Sequence, residues 1–291
     1  MADQGEEEST GSSGSTVNLS KSEEREADRR AGLRAAVVFE SVRREGDSEL
    51  ARPPIALAFS ALGSGFSMSL SLMVTGMIRA ALPDVSWTPL VENLGYTVGF
   101  IATVMGRQQL FTENTVTAVI PVLDEGGHRT KLIRLIRLWC VVLATNLIGV
   151  GLVAFALAYT DVFHPAVKHA FLQLGVEAIS GTPLTIFLRA LIAGWLIALM
   201  VWLLPAAEGS RVLVIAILTY VVGLGGFAHV IAGSAEVLYA VASHAVTWPH
   251  YLAGYLLPTF LGNSLGGVIM VSLLNYAQVA VKSDEEQPGG S

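Results

Sequence analysis

Long stretches of the chain carry almost no charge, and the charged residues collect between them. A first uncharged run extends from Ile55 to about Ile78 and ends at Arg79 and Asp84. A second begins near Leu94 after Glu92, breaks at Gly106-Arg107-Gln108-Gln109 and resumes as LFTENTVTAVIPVL to Leu123. A third covers Leu138 to about Tyr159, and a fourth covers about Pro183 to Leu204 with Arg189 near its start. A fifth starts at Val212, breaks around Phe227-Ala228-His229 and resumes to about Val246; a sixth covers about Tyr251 to Tyr276. A hydrocarbon core of roughly 30 Å takes about 20 helical residues to cross. The halves of the second and fifth runs are too short alone and long enough together. The pattern predicts an all-α polytopic membrane protein with six transmembrane helices, the second and fifth interrupted.

The runs also repeat. Asn146-Leu147-Ile148-Gly149 in the third and Asn263-Ser264-Leu265-Gly266 in the sixth are offset by 117 residues, and that offset carries Thr112, in the first break, onto His229, in the second. Halves of three spans have opposite orientations, so the chain reads as two inverted three-helix repeats. Interrupted hydrophobic segments at matching places in two halves point to a transport site. Backbone groups released from a helix cannot face lipid, so Thr112 and His229 are expected to face one another near mid-membrane. Arg107 and Glu113 flank the first break and Glu236 follows the second. Ionisable groups at such depth usually face a bundle interior or a water-filled path, and an ion pair between Arg107 and Glu113 is expected. His229 donates a hydrogen bond when neutral and carries charge when protonated. The plainer alternative makes both breaks kinks and His229 a packed helix-contact residue.

Basic residues set the orientation. Arg43, Arg44 and Arg52 precede the first span, Arg129, Lys131, Arg134 and Arg137 separate the second and third, Arg211 separates the fourth and fifth, and Lys282 follows the sixth. With six crossings all fall on one side, so both termini are expected in the cytoplasm. Residues 160–182 read as the longest external loop; His164 and His169 lack a third ligand and read as ordinary polar loop residues. The polar N-terminus has no signal-peptide pattern. Residues 1–20 are expected to be disordered and residues 21–45 to form a short amphipathic surface helix. The organisation expected is a polar segment over 1–50, a transmembrane domain over 51–280 and a tail over 281–291.

Composition agrees: 52% of residues are hydrophobic and 14% charged, with a mean hydropathy of +0.56, against about a quarter charged in soluble domains. The net charge of −6 comes mostly from the termini. Cys140, the one cysteine, cannot form an intrachain disulfide and reads as a buried structural thiol. There is no nucleotide-binding fingerprint, HExxH sequence or catalytic triad, so neither an enzyme nor a bound cofactor is expected. Juxtamembrane basic residues on an acidic chain give no sign of a nucleic-acid partner; the partners expected are the bilayer and a small solute.

Three segments carry a family resemblance: Leu110-Phe111-Thr112-Glu113-Asn114, Gly226-Phe227-Ala228-His229-Val230-Ile231-Ala232, and PTFLGNSLGG from Pro258 to Gly267. With Arg189 and Gly194-Trp195-Leu196 in the fourth span, this ordered set resembles the formate/nitrite transporter family over about residues 50–278. The resemblance implies a homopentamer of aquaporin-like appearance in the plasma membrane (the inner membrane of a bacterium). Each protomer would hold one pathway for a small monovalent anion such as formate, nitrite or hydrosulfide, in some members moved with protons. It makes His229 the central histidine and Thr112 its partner. Apolar constrictions would fall at Tyr96, Phe100 and Leu110 in the first repeat and at Leu213 and Val222 in the second. The remaining polar pathway positions are Arg107, Glu113, Asn114 and Glu236.

The polar lining departs from the family pattern. Glu113 stands where glycine is usual, Gln109 and Ala228 where glutamates are, and Gly233 where an asparagine is expected, with Glu236 nearby. A carboxylate beside the path repels an anion unless paired or neutralised, so Glu113 is expected to pair with Arg107 or to be protonated. A channel for a neutral or cationic solute, an alternating-access transporter, and a non-conducting sensor or scaffold plugged by Glu113 or Arg107 stay open.

Overall fold

The computed structural model describes residues 20–22, 35–123 and 128–269. The disorder expected of residues 1–19, the start of the helix expected over 21–45, the end of the sixth span and the tail over 281–291 lie outside the described residues.

The described chain is helical throughout. Helix α1 (Ala35–Ala51) buries Val38, Val42, Gly46 and Leu50, one residue per turn along a single face. Its opposite face is laced by ion pairs from Arg43 to Glu40 and Asp47 at 2.7 and 2.8 Å and from Arg44 to Glu40 at 2.6 Å. Hydrogen bonds from Arg43 and Arg44 hold the Glu40 carboxyl down at about 2. Among the described residues this helix runs over 35–51 rather than the 21–45 expected, and it docks by its apolar stripe: the backbone of Gly46 packs directly on the Thr117 carbonyl and on Pro121, where any side chain would overlap them.

Among the described residues, three helices are long and apolar enough to cross a membrane: α2 (Pro54–Ala81), α5 (His128–Tyr159) and α7 (Pro183–Leu203). At 1.5 Å per residue, α2 is about 42 Å long. Prolines at the first turns of α2 and α7 start them where the missing N–H costs nothing. Between these run α3 (Thr88–Met105), a 3₁₀ turn at Glu113–Thr115, the short α4 (Ile120–Leu123), α6 (Pro165–Ala178), α8 (Arg211–Leu224) and α9 (Ala232–Ala242). A stretch of wide turns over His250–Leu256 leads into α10 (Leu257–Gly267).

Small residues let the long helices approach closely. A Cβ on Gly65 of α2 would overlap the Asn146 carbonyl and Gly149 of α5. One on Gly194 of α7 would overlap Asn263 of α10, and one on Gly266 of α10 would overlap the Leu191 carbonyl. These contacts bring Asn146 and Asn263 against α2 and α7.

Two expectations need correction. The stretch 160–182 is not an open loop: it folds into α6, whose Phe171 packs on Gly76 and edge-on to Tyr239 at 5.4 Å. The helix was hidden because its apolar face is short and interleaved with the polar residues that read as loop. Cys140 is exposed on α5, not buried. In a bundle of this kind an apolar residue lies on the outer surface as readily as inside, so an apolar run does not say which way a thiol faces.

Candidate substrate pathway

Both breaks are built the same way. Helix α3 ends with the N–H groups of Gly106, Arg107 and Gln108 donating to Ala102, Val104 and Thr103 carbonyls at 3.0, 3.1 and 3.0 Å. Helix α8 ends with Gly225, Gly226 and Phe227 donating to Val221, Gly223 and Val222, each at 3.0 Å. The middle residue of each set is left-handed, Arg107 at φ 48° and Gly226 at φ 59°, as helix C-termini favour. Beyond the turn each backbone is held by one wholly buried asparagine. Asn146 Oδ1 accepts from the Phe111 N–H at 3.0 Å, and its Nδ2 donates to the Ala61 and Gln109 carbonyls at 2.8 and 2.9 Å. Asn263 Oδ1 accepts from the Val230 N–H at 2.8 Å, and its Nδ2 donates to the Ala190 and Ala228 carbonyls at 2.7 and 2.9 Å. The polar backbone freed by each break is thus satisfied inside the bundle.

This hydrogen-bond pattern matches Arg107 to Gly226, Gln109 to Ala228 and Leu110 to His229, two residues out of step with the offset of 117. The structural counterpart of His229 is therefore Leu110, and Thr112 is its hydrogen-bond partner rather than its repeat equivalent. Thr112 Oγ1 lies 2.8 Å from His229 Nε2, both residues being buried.

The other ring nitrogen fixes the proton. Nδ1 faces the N–H groups of Ala232 and Ile231 at 3.1 and 3.3 Å, capping the start of α9. Both are donors, so Nδ1 accepts, and the single ring proton sits on Nε2 and is donated to Thr112 Oγ1. Tyr255 donates its hydroxyl proton to the His229 carbonyl at 3.1 Å. The Phe100 ring stands edge-to-face on the imidazole with centroids 4.9 Å apart.

A cavity lies on each side of this pair. One, of about 580 Å³, is lined by Glu45, Glu49 and Arg52 near the start of the bundle, by Arg107, Leu110, Glu113 and Asn114 of the first break, and by Leu204 and Arg211. The other, of about 350 Å³, is lined by Arg79, Glu92, Tyr96, Glu177, Arg189, Val222, His229 and Glu236. Helix α2 reaches the first near Arg52 and the second at Arg79, and α7 runs from Arg189 at the second to Val201 at the first, so the cavities open at opposite ends. Leu110 closes the first and Tyr96 and Val222 the second; Phe100, wholly buried, lines neither and fills the space between.

Of the remaining candidates, Asn114 holds the first break: its Nδ2 donates to Gln109 Oε1 at 3.0 Å, and its carbonyl accepts from Trp139 Nε1 at 3.1 Å. Leu213 is misplaced in the sequence reading. It is 59% exposed on the outer surface of α8 and lines neither cavity. Val201 and Leu204, at the far end of α7, line the first cavity instead. The Arg107–Glu113 pair does not form among the described residues. The left-handed turn leaves Arg107 exposed, and Glu113 lines the cavity with no ion pair or hydrogen bond to its carboxylate. Glu236 lines the second cavity, 8% exposed, also without one.

An ion cluster at the mouth of the second cavity escaped the sequence reading. Arg79 Nε and Nη2 donate to the two Glu92 oxygens at 2.8 and 2.7 Å, and Nη1 donates to Glu177 Oε2 at 2.8 Å. Glu177 lies 98 positions from Arg79 on the unanticipated α6, so spacing could not have found it.

The comparisons with known proteins agree with this geometry. The family model described as formate/nitrite transporter matches residues 36–277. The chain is 42% identical over 246 residues to the inner membrane protein YfdC of Escherichia coli (strain K12), covering 84% of this chain and 79% of that protein. It is 27% identical over 229 residues to a probable formate transporter of Methanothermobacter thermautotrophicus, covering 72% and 82%. A solved pentameric formate channel with formate bound superposes with a TM-score of 0.70 at 20% identity, covering 78% of this chain and 98% of that one. An FNT family ion channel superposes at 0.71, also at 20% identity, covering 84% and 99%.

Proposed function

Because the chain belongs to the formate/nitrite transporter family, we propose that it forms a path across the membrane for a small monovalent anion of formate's class, with its weak acid as the other form of the solute. The family consists of transporters rather than enzymes. The observation that carries the reading is the pair of cavities opening at opposite ends of one protomer, parted by Leu110, Phe100, Tyr96 and Val222 around the Thr112–His229 hydrogen bond. An anion entering such a septum loses water. The Nε2–H of His229 offsets part of the loss by turning from Thr112 to the solute, and the start of α9 at Ala232 adds positive potential. Arg107, Asn114, Glu113 and Glu236 serve as polar lining on the two sides.

The finer architecture is part of the same proposal: six crossings in two inverted three-helix repeats, α3 with α4 and α8 with α9 being the interrupted crossings. The alike asparagine clamps and left-handed turns support this repeat. The cavity beside α1 faces the cytoplasm with both termini, because Arg137, at the basic start of α5, donates to the Leu50 and Arg52 carbonyls at 2.9 and 3.2 Å and gathers the basic residues at one end. The transmembrane domain covers 51–280 between a polar segment over 1–50 and a tail over 281–291. Assembly is as a homopentamer in an inner membrane, by analogy with the pentameric formate channel and the inner membrane relative. Exposed Phe59, Phe66 and Ile148 suit lipid and neighbouring subunits.

The carboxylates of Glu113 and Glu236 favour one second reading, passage of a neutral or cationic solute. Flux into proteoliposomes of formate, nitrite, hydrosulfide, a neutral solute and a small cation over a pH series tests both. Anion flux rising as pH falls supports the main reading; cation flux alone overturns it.

A further inference from the structure

Each cavity is lined by a carboxyl that has no ion pair or hydrogen bond among the described residues, Glu236 in the second and Glu113, with Glu45 beside it, in the first. Glu236 is 8% exposed, sits in the second turn of α9, beyond His229, and lines the second cavity. The position between them, Gly233, has no side chain, and its place is taken by the Tyr255 hydroxyl. Facing Glu236 are Arg79 from α2, Glu92 and Tyr96 from α3, Glu177 from α6, Arg189 from α7 and Tyr255. Arg79 gives three of its five N–H groups to Glu92 and Glu177, and among the described residues no ion pair joins it to Glu236. Glu113 is the counterpart on the other side of the septum. Facing it across the first cavity are Glu45 and Glu49 from α1, Arg52 just after it, Arg107 from the break and Arg211 from α8, none within ion-pair distance.

The central histidine is badly placed to carry a proton. Its Nδ1 accepts from two backbone N–H groups, so a second proton there would meet two donors. Its single proton is committed to Thr112 at 2.8 Å, and giving it up would leave an imidazolate. Yet a fixed carboxylate in a cavity of low dielectric repels the very anion the path is proposed to carry.

We propose that Glu236 and Glu113 are the proton-exchanging groups of the pathway, one in each cavity, and that the solute crosses the septum between them as its neutral acid. In the second cavity the O–H bond of protonated Glu236 breaks and an O–H bond forms on the anion. The neutral acid passes Tyr96, Phe100 and Leu110, and the His229 Nε2–H turns from Thr112 to the acid and back as it goes. In the first cavity the acid's O–H bond breaks, Glu113 takes the proton and the anion leaves. Water at each mouth restores both carboxyls, and the sequence reverses for the opposite direction. One proton moves with each anion. This deepens the transport reading and rests on it; it assigns the proton steps to two carboxyls of this chain.

The test uses the full-length protein in right-side-out membrane vesicles, with formate as the probe and the pH of each side set separately. Glu236→Gln is expected to slow formate exchange at neutral pH by about 100-fold, the lower range of a general-acid contribution. The loss shrinks as the outer solution is acidified, because the solution then supplies neutral acid. Glu113→Gln gives the same loss, recovered by acid on the inner side. Glu236→Asp and Glu113→Asp keep most of the rate. If wild type exchanges formate and both Gln variants match its rate and pH profile, the inference is overturned and the transport reading stands. A loss that acid on the matching side does not recover also overturns it, because it marks a merely structural role. Wild-type protein that moves no formate overturns the transport reading and this inference with it.

Discussion

Replacing Asn263 with leucine tests how the breaks are held open. The side chain is wholly buried and makes three hydrogen bonds to backbone, from the Val230 N–H at 2.8 Å and to the Ala190 and Ala228 carbonyls at 2.7 and 2.9 Å. Leucine has the same branched shape and is larger, so the cost is lost hydrogen bonds and some crowding rather than a cavity. Each buried group left unpaired costs about 1–3 kcal/mol, which puts the loss at about 3–9 kcal/mol if the break keeps its shape. That is a large part of the roughly 5–15 kcal/mol by which a typical domain is stable, so the break rearranges, and the loop carrying His229 moves with it. Asn263→Asp keeps the acceptor for Val230 but turns an oxygen toward two carbonyls, and falls between the wild type and leucine. Asn146→Leu breaks the equivalent three bonds around Phe111 and Gln109 and has an equal cost. The assay is the heating midpoint of the assembled protein in mild detergent, read by size-exclusion, together with formate flux. Both leucine variants should melt well below wild type and lose flux. Wild-type midpoints and flux in both would refute the idea that these two side chains hold the breaks.

The two left-handed residues make a matched pair of tests. Arg107→Gly should leave stability unchanged or raise it by up to about 1 kcal/mol, and Gly226→Ala should lower it by about 1–2 kcal/mol, since a Cβ there meets nothing and only the φ of 59° resists it; denaturant midpoints decide. Gly233→Ala drives a methyl into the Tyr255 hydroxyl, which bonds the His229 carbonyl at 3.1 Å, so it should lower flux, and adding Tyr255→Phe should restore part of it by clearing the space; flux no better in the double variant would contradict the assignment. Burial pushes the Glu49 carboxyl up despite the attraction of Arg52, so its charged form opposes docking of α1 above that raised value. Glu49→Gln should slow hydrogen exchange in α1 at neutral pH, with the difference closing as pH falls through the carboxylate range; an equal difference at every pH would show that charge is not the cause.

Much of this architecture was legible because lipid punishes polar backbone. The sequences GRQQ and GGFAH interrupt runs too short to span alone, and the structure breaks α3 and α8 there. The meeting of Thr112 with His229 was also legible, although through an offset that holds for Asn146 and Asn263 and slips by two residues inside the breaks. That slip is invisible without the asparagine hydrogen bonds. What stayed hidden has two physical causes. Leu213 and Cys140 sit in apolar runs and face outward, because hydropathy does not separate a residue packed inside from one on the outer surface of such a bundle. The Arg79–Glu92–Glu177 cluster, the empty-handed carboxyls of Glu113 and Glu236 and the Tyr255 bond to His229 arise from chain segments brought together only by folding.

The central claim is that each protomer conducts past His229, and formate uptake into proteoliposomes by wild type and His229→Phe tests it most directly. The imidazole is 1% exposed, pressed by Phe100 and bonded to Thr112, so phenylalanine removes the ring N–H at the septum and adds bulk where no room exists. The prediction is rapid, saturable or gradient-driven uptake by wild type and uptake at the level of empty liposomes by the variant, with both proteins assembling to the same size. Equal uptake by the two at the same assembly state would contradict the account.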